Sequence, residues 1–249
     1  MKLRLDKMLL ARNLVESRQK AQALIAAGQV YVGGHMADKA GRQFPSDCQI
    51  EIKGNDCPYV SRGGYKIEAG LNHFKINPLQ LTCADFGAST GGFTDCLLQR
   101  GASRVYAIDV GYGQLAWKLR QDERVVVMER TNARHLVASD IPEPIDLIVI
   151  DASFISLELL LKPALIFLKP GGGILALIKP QFEVGKGQVG KGGVVKDPEL
   201  HTAAIEKIEE FGVALGLNCQ GFSPSPLLGP KGNREFLIYF TRPLPRPLF

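Results

Sequence analysis

The sequence predicts an α/β protein in which a doubly wound, mostly parallel sheet follows a small α+β domain. From residue 62 onward, apolar runs of strand length alternate with segments of helical pattern. These runs are apolar throughout, as is typical of strands that helices cover on both faces. The elements before that point are shorter and more polar. We therefore expect two domains, residues 1–60 and residues 61–249.

The first 60 residues have the pattern of a helical pair that leads into a small sheet. Ser17 is placed to cap the second helix, and Gly28 is placed to end it. Turn residues separate two short strand-like runs, and Pro58 marks the domain boundary. The two helices and two strands are expected at residues 5–13, 17–27, 30–32 and 50–52.

The larger domain is expected to contain seven strands and five helices. Because strands and helices alternate, most of the strands should run parallel. The strands are predicted at residues 81–86, 104–109, 125–129, 146–151, 173–179, 217–222 and 235–240. The helices are predicted at residues 64–74, 93–100, 114–121, 157–167 and 198–215. Trp117, in the third of these helices, is expected to pack in the core or in a cofactor pocket.

The composition indicates a folded protein without a membrane anchor. The chain has 249 residues, of which 45% are hydrophobic and 22% charged, enough for a large core and a small appendage. No apolar run approaches the roughly 18 residues of a membrane span, and the charged start does not fit a signal peptide. Five cysteines without a C-x-x-C pair and four scattered histidines argue against disulfides and metal sites. We expect a cytoplasmic protein that binds no metal.

The excess positive charge is concentrated at the start of the chain. Thirty Lys and Arg residues against 25 Asp and Glu give a net charge of +5. Residues 1–60 contribute nine basic and six acidic side chains, which is +3 of that total. Such a concentration indicates a polyanionic partner. A solvated basic face would have the same composition, so charge alone leaves both interpretations open.

A glycine-rich loop, residues 85–93, follows the first predicted strand of the larger domain. Glycines there let the backbone turn sharply and let a ligand approach closely. The spacing fits neither the G-x-G-x-x-G of dinucleotide sites nor the G-x-x-x-x-G-K-[ST] of nucleotide triphosphate sites. Asp109 ends the second strand, where a carboxylate can accept hydrogen bonds from both ribose hydroxyls of an adenosine.

An adenosine ligand without a pyrophosphate cradle indicates S-adenosylmethionine, whose cationic groups tolerate a nearby carboxylate. The loop and Asp109 resemble the first two motifs of class I methyltransferases, which implies a seven-stranded sheet of that type. A glycine turn in another α/β enzyme is the alternative for the loop alone. The cofactor-binding candidates from these motifs are Asp85, Gly87, Ser89, Thr90, Gly91, Gly92 and Asp109.

Three ionisable residues are expected at the carboxyl edge of the sheet. Asp151 and Lys179 close two apolar strands. Glu235 begins the last strand, which places it at the same edge if that strand runs antiparallel. Lys66, on the helix before the first strand, could reach over this edge. A lysine at the end of a buried strand needs a partner, and Asp151 and Glu235 are the expected ones.

This cluster has a catalytic and a structural interpretation. Two lysines beside two carboxylates would lower the cost of deprotonating a weakly acidic hydroxyl, such as a ribose 2′-hydroxyl. A structural ion-pair network is the alternative. Which lysine is neutral stays open, because a neighbouring cation lowers a lysine's pKa whereas carboxylates raise it.

The residues after Asp151 favour a hydroxyl as the methyl acceptor. They lack the D/N-P-P-Y/F stretch with which amino-group methyltransferases bind an exocyclic nitrogen. They also lack the cysteine nucleophile of carbon-5 enzymes.

Lys66, Asp151, Lys179 and Glu235 resemble, in this order, the K-D-K-E tetrad of FtsJ-type ribose 2′-O-methyltransferases. Five further stretches resemble the TlyA, or hemolysin A, family, at residues 60–66, 129–134, 150–156, 178–183 and 232–236. That family joins an S-four RNA-binding domain to an FtsJ-like methyltransferase, and the resemblance covers nearly the whole chain. It implies methylation of cytidine 2′-hydroxyls in ribosomal RNA, with Asn132 at the adenine end of the cofactor.

Residues near the start of the chain resemble the S-four pattern, which implies contacts to an RNA backbone. Arg18 and Lys20 open the second helix and would project beside Arg4 and Lys7. Specificity would then come from RNA shape and from the catalytic cavity. A solvated surface charge is the alternative at each position. The RNA-binding candidates are Arg4, Lys7, Arg18, Lys20, Lys39 and Arg62.

Several alternatives stay open. The Gly- and Lys-rich segment Gly185–Gly193 could fold over bound RNA or be a tolerated insertion. A non-catalytic RNA-binding or ribosome-assembly factor is one rival function, and a membrane-active hemolysin is another. The short start before Arg4 and the Pro-rich finish at 242–249 favour the shorter members of the family, which modify the large ribosomal subunit alone. The modified cytidine and the oligomeric state do not follow from the sequence.

Overall fold

The computed structural model describes residues 2–15, 17–26, 28–52 and 57–245. The chain divides into two units, Met1–Ser61 and Arg62–Phe249. Among the described residues, none of the helices combines the length and the apolar composition that a membrane crossing requires.

The first unit packs two helices against short strands. Its elements are β1 (Lys2–Arg4), α1 (Leu5–Ala11), α2 (Arg18–Ala26), β2 (Val30–Val32), β3 (His35–Met36), β4 (Gln43–Pro45) and β5 (Ile50–Ile52). β1 pairs with β4, and β2 lies between β3 and β5, all antiparallel. The predicted cap is present, because the Ser17 hydroxyl accepts a hydrogen bond from the Lys20 backbone N–H at 3.1 Å. A small core encloses Leu5, Leu9, Ala21, Ile25 and Val30.

The second unit is built on one seven-stranded sheet. Its strands are β6 (Thr82–Phe86), β7 (Arg104–Ile108), β8 (Val125–Met128), β9 (Ile145–Ile150), β10 (Leu168–Ile178), β11 (Asn218–Pro224) and β12 (Phe236–Thr241). They lie in the order β11-β12-β10-β9-β6-β7-β8. Strands β6 to β10 are parallel, whereas β12 is antiparallel to β10 and β11 is antiparallel to β12. This confirms the predicted doubly wound, mostly parallel sheet.

Six helices flank this sheet or begin its loops. They are α3 (Gly63–His73), α4 (Gly92–Gln99), α5 (Trp117–Arg120), α6 (Glu158–Phe167), α7 (Pro180–Glu183) and α8 (Pro198–Ala214). Two predicted elements of this unit differ clearly from the structure: β10 begins at Leu168 instead of residue 173, and α5, expected at 114–121, is shorter. Ala116 has extended backbone angles and its N–H donates to Thr90 O at 3.1 Å, so the chain before Trp117 is held against the glycine loop instead of in a helix.

The predicted environment of Trp117 is wrong. Its side chain is 71% exposed, so it belongs neither to the core nor to the cavity described below. The Pro-rich finish contains no helix or strand from Arg242 to residue 245, and residues 246–249 lie outside the described residues.

The core explains why the strands are apolar along their whole length. Ile148 and Ile150 of β9, Phe86 of β6 and Ile178 of β10 are completely or almost completely buried. Because helices cover both faces of the central strands, polar residues are confined to the ends of those strands, whereas the edge strand β11 is mostly exposed and has Gln220 in its middle. The five parallel strands therefore direct their polar carboxyl-terminal residues to one edge. β12 begins at this edge because it runs antiparallel, as the sequence analysis required for Glu235.

Ile148→Ala is expected to destabilise the second unit by about 2–5 kcal/mol, because Ile148 is fully buried in the central strand β9 and its truncation leaves a cavity. Urea denaturation followed by circular dichroism measures the change. Ile166→Ala is the matched control, since Ile166 on α6 is 53% exposed and its loss should cost about 1 kcal/mol or less. Equal losses for the two variants would contradict the buried position of β9.

Candidate active site

A cavity of about 830 Å³ lies at the carboxyl ends of the parallel strands. In open α/β sheets this edge is where ligands bind, and the volume is that of a site for a drug-sized molecule. One side is formed by the glycine loop and the segments after β7 and β8. The other side is formed by the segments that follow β9 and β10, with Asp151–Ser156, Gln181 and Phe182.

The glycine loop connects β6 to α4 and brings its backbone close to two neighbours. Gly87 has φ +91°, and a Cβ atom there would lie 2.7 Å from the carbonyl oxygen of Asp151. Gly91 has φ +94°, and a Cβ atom there would overlap the side chain of Leu119. Both positions therefore require glycine, for their backbone angles and for the close approach.

Asp109 and Asn132 bring polar atoms to the cavity. The Asp109 carboxylate accepts hydrogen bonds from the backbone N–H groups of Ser89, at 2.8 Å, and Gly111, at 2.7 Å. Asn132 Oδ1 accepts a hydrogen bond from the N–H of Arg134 at 3.1 Å, which fixes this side chain at the start of a short 3₁₀ turn. Carboxylate oxygens have further lone pairs, so Asp109 can accept ligand hydroxyls as well.

The eight cofactor-binding candidates divide into two groups. Gly87, Ser89, Asp109 and Asn132 line the cavity. The other four belong to the same loop but do not line the cavity: Asp85, Thr90, Gly91 and Gly92.

Asp85 is completely buried beneath the glycine loop. Its Oδ2 accepts hydrogen bonds from the Thr94 N–H, at 3.0 Å, and the Thr94 hydroxyl, at 2.7 Å. Its Oδ1 has no hydrogen-bond partner within the described part of the chain. Burial raises the pKa of Asp85 to about 7, and the neighbouring Asp151 carboxylate acts in the same direction. A cation bound nearby would favour the ionised form of this carboxyl group.

The structure brings the four tetrad residues together as two ion pairs. Lys66 Nζ lies 2.5 Å from Glu235 Oε2, and Lys179 Nζ lies 2.5 Å from Asp151 Oδ1. Lys179 also donates a hydrogen bond to the Ser153 hydroxyl at 2.9 Å. Glu235, the second partner expected for Lys179, pairs with Lys66 instead. All four side chains are at least three-quarters buried, so each charge depends on its partner.

Local structure fixes each member of the tetrad. Asp151 follows β9 directly, and its N–H donates to Phe86 O at 3.0 Å. Lys179 follows β10 in an extended conformation, and Pro180 starts α7 immediately after it. Glu235 precedes β12, and Lys66 lies in the first turn of α3. Because β9, β10 and β12 are neighbours in the sheet, Asp151, Lys179 and Glu235 lie side by side.

Three residues near the tetrad have roles that the sequence pattern did not reveal. Ser153 is the hydrogen-bond acceptor for Lys179. Glu183 is buried and accepts hydrogen bonds from the Ser156 hydroxyl, at 2.6 Å, and the Leu157 N–H, at 2.9 Å, which ties α7 to the segment after Asp151. Phe154 has φ +64° and a side chain that is 91% exposed at the cavity, with its ring 5.2 Å from that of Phe182. Such a conformation is costly for an aromatic residue and is typical of functional sites.

The predicted RNA-binding residues of the first unit surround a buried carboxylate. Asp6 is completely buried and binds Arg4 Nε, at 3.0 Å, and Arg18 Nε, at 2.8 Å. The hydrogen bonds from Arg4 and Arg18 hold the pKa of Asp6 well below its usual range. Lys7, Lys20 and Lys39 are exposed, and so is Arg62 in the second unit. Asp6 was not predicted as an organising residue, although an acid within two residues of Arg4 is the signal for it.

Fold and site together define a class I methyltransferase, since a glycine loop after the first strand and an acid after the second line the carboxyl edge of a seven-stranded sheet. Residues 59–242 match the FtsJ-like methyltransferase family, and residues 3–46 match the S4 domain. The chain therefore belongs to the FtsJ-like methyltransferase family, in the group of S4-containing proteins that includes TlyA and hemolysin A.

The similar proteins extend over nearly the whole chain. It is 45% identical over 246 residues to the 16S/23S rRNA (cytidine-2′-O)-methyltransferase TlyA of Mycobacterium tuberculosis, covering 98% of this chain and 92% of that protein. It is 41% identical over 247 residues to hemolysin A of Brachyspira hyodysenteriae, covering 96% and 99%. The solved structure of a protein from Streptococcus thermophilus, described there as a hemolysin, has a TM-score of 0.77 and 40% identity, covering 97% and 89%. The resemblance stated from the sequence is confirmed.

Asp85→Asn is expected to change how stability depends on pH. Because the pKa of Asp85 is about 7 in the folded chain against 3.8 as its ordinary value, the folded chain retains a proton that the unfolded chain releases. The free energy of unfolding of the native chain should therefore fall, relative to the variant, as the pH rises from about 4 to about 7, and the difference should then stay constant. Urea denaturation at a series of pH values measures it.

Glu123→Gln, which removes an exposed carboxyl group, is the control for this experiment. If the stabilities of the native chain and Asp85→Asn run parallel across the pH range, Asp85 does not carry the retained proton.

Proposed function

We propose that this methyltransferase uses S-adenosylmethionine to methylate the 2′-hydroxyl of cytidine in ribosomal RNA. The observation that carries the proposal is the pair of buried Lys–carboxylate contacts at the carboxyl edge of the sheet, Lys66 with Glu235 and Lys179 with Asp151, the last of which lines the cavity. Such a cluster lowers the cost of deprotonating a weakly acidic hydroxyl. The proposed substrate is that of the Mycobacterium tuberculosis relative, a 16S/23S rRNA (cytidine-2′-O)-methyltransferase.

The residues on the β6–β7 side of the cavity fit the proposed cofactor. Asp109 retains acceptor capacity for the ribose hydroxyls, and Asn132, the candidate contact to the adenine, lines the same cavity. The unpartnered Oδ1 of Asp85 is an orphaned buried acceptor under the loop, which suits a cationic ligand. Gly87 lets the backbone approach a ligand closely. When bound, S-adenosylmethionine supplies a methyl group already activated as a sulfonium.

The residues on the β9–β10 side would hold the methyl acceptor. Lys179 contacts two residues that line the cavity, Asp151 and Ser153, which orient its Nζ to stabilise the oxygen from which the proton leaves. Lys66 and Glu235 form the second pair beside it. Because the methyl group is activated in advance, in-line positioning of the hydroxyl supplies much of the rate.

Phe154 supports a nucleic acid as the substrate. An exposed phenyl ring at the cavity, next to Phe182, provides an aromatic face on which an unpaired base can stack. A nucleotide of folded ribosomal RNA must be accessible to the cavity before its ribose can be methylated. Stacking of its base on this aromatic face stabilises the accessible nucleotide.

The first unit would supply affinity for the RNA backbone. Lys7, Lys20 and Lys39 carry exposed charges, and Asp6 orders the guanidinium groups of Arg4 and Arg18. Contacts of this kind are salt-dependent and read little sequence. Arg62, exposed at the start of the second unit, is the remaining candidate for a phosphate contact.

Lys179→Ala is expected to retain S-adenosylmethionine binding and to lower methyl transfer to ribosomal RNA by about 100-fold or more, because Lys179 acts on the acceptor hydroxyl and not on the cofactor. Calorimetric titration measures binding, and transfer of a labelled methyl group to ribosomal subunits, followed by mapping of ribose methylation, measures activity. Lys162→Ala, an exposed lysine on α6, should behave like the native chain. Undiminished transfer by Lys179→Ala would overturn the proposed mechanism.

Lys7→Ala with Lys20→Ala is expected to weaken RNA binding and to lower the slope of log K against log salt concentration by about 1.5, as expected when two phosphate contacts are lost. These two lysines are chosen because Arg4→Ala or Arg18→Ala would also remove a partner of the buried Asp6. Filter binding at several salt concentrations measures the slope. A slope equal to that of Lys162→Ala and of the native chain would show that the lysines do not contact phosphates.

A further inference from the structure

The loop between β11 and β12 folds back over Glu235. The N–H of Gly229 donates to Asn233 O at 2.8 Å, and the N–H of Ser225 donates to Glu235 O at 2.9 Å. Gly229 thereby lies against the Glu235 carboxyl group. A Cβ atom at position 229 would overlap Glu235 Oε1 and lie 2.5 Å from its Cδ.

The backbone at Gly229 does not itself require glycine. Its φ of −74° and ψ of −174° are extended angles that any residue adopts. The reason for glycine at this position is therefore the space that the Glu235 carboxyl group occupies.

The surrounding loop has little freedom to move away from an added methyl group. Asn233 is 2% exposed, and its amide donates to Gly193 O, at 2.9 Å, and to Pro230 O, at 3.2 Å. Its Oδ1 accepts a hydrogen bond from the N–H of Val195 at 3.0 Å. These bonds tie the loop to the segment that precedes α8.

The Glu235 carboxyl group has fewer bonding partners than Asn233 of the loop. Its Oε2 contacts Lys66 Nζ, and its Oε1 has no hydrogen-bond partner in the described ranges. A side chain at position 229 would therefore displace the carboxyl group and break its contact with Lys66, while the loop stays in place.

We propose that Gly229 is a positioning residue, whose missing side chain reserves the space in which Glu235 pairs with Lys66. This inference rests on the proposed function, in which the Lys66–Glu235 pair acts beside the acceptor hydroxyl. Gly229 acts through Glu235 and does not touch the substrate.

A double-mutant cycle of Gly229→Ala and Glu235→Ala tests this, with kcat, KM for S-adenosylmethionine and the thermal midpoint as readouts. Gly229→Ala alone is expected to lower kcat on the order of 100-fold, as displacement of a reacting-site group by about 1 Å does, and to leave KM for S-adenosylmethionine unchanged. In the Glu235→Ala background it should change neither kcat nor the midpoint, because the new methyl group fills space that the carboxyl group has left.

Leu228→Ala is the control for a general disturbance of this loop, since Leu228 is 62% exposed and should retain native activity. The inference is overturned if Gly229→Ala has native kcat, or if it lowers kcat or the midpoint equally in both backgrounds. If Glu235→Ala has no measurable activity, kcat cannot be compared in that background, and the thermal midpoints alone test the inference. Failure of the native chain to methylate ribosomal RNA would instead refute the proposed function, and the midpoints would still test the contact.

Discussion

The contact between Lys179 and Asp151 is the constraint on which the rest of the catalytic unit depends. Lys179 ends the most deeply buried part of the sheet, and its side chain is 7% exposed. A buried ammonium group without a partner is very costly, and breaking such a pair typically costs about 3–5 kcal/mol. The fold must therefore hold a carboxylate within contact distance of this atom. The segment after β9 satisfies this requirement because Asp151 continues the parallel ladder next to β6.

The Lys66–Glu235 pair likewise depends on the order and direction of the strands. β12 lies next to β10 and runs antiparallel to it, so its first residues, not its last, meet the carboxyl end of β10. A parallel β12 would place Glu235 at the opposite edge of the sheet. The direction of one strand thus decides whether Lys66 has a partner. Gly87 and Gly229 have no side chains, so the backbone can lie close to Asp151 and Glu235, respectively.

The sequence predicted the sheet and the members of the site better than it predicted their partners. All seven strands were predicted, and apolar runs located the central ones, because burial on both faces removes polar residues from the middle of those strands. Apolar runs could not predict the partner of Glu235, since Lys66 is 169 positions away. Only the folded geometry determines whether Glu235 pairs with Lys66 or with Lys179. β1, β3 and β4 were not predicted because, unlike the equally short β2 and β5, they contain no β-branched residue. Trp117 was misplaced because helical periodicity does not show which face of a short helix is covered.

The net charge of the chain does not show that acidic residues and lysines lie on different sides of the cavity. Asp85 and Asp109 lie at the glycine loop, and Asp85 retains a proton because burial disfavours its charged form. Lys179 follows β10 on the opposite side and pairs with Asp151, and Lys66 pairs with Glu235. The Asp109 carboxylate, which lines the cavity, attracts a cationic methyl donor, whereas the two lysines favour an oxygen that is losing its proton. The charges therefore suit a positively charged methyl donor on one side and a negatively charged acceptor oxygen on the other. This is the charge distribution that methyl transfer to a hydroxyl group requires.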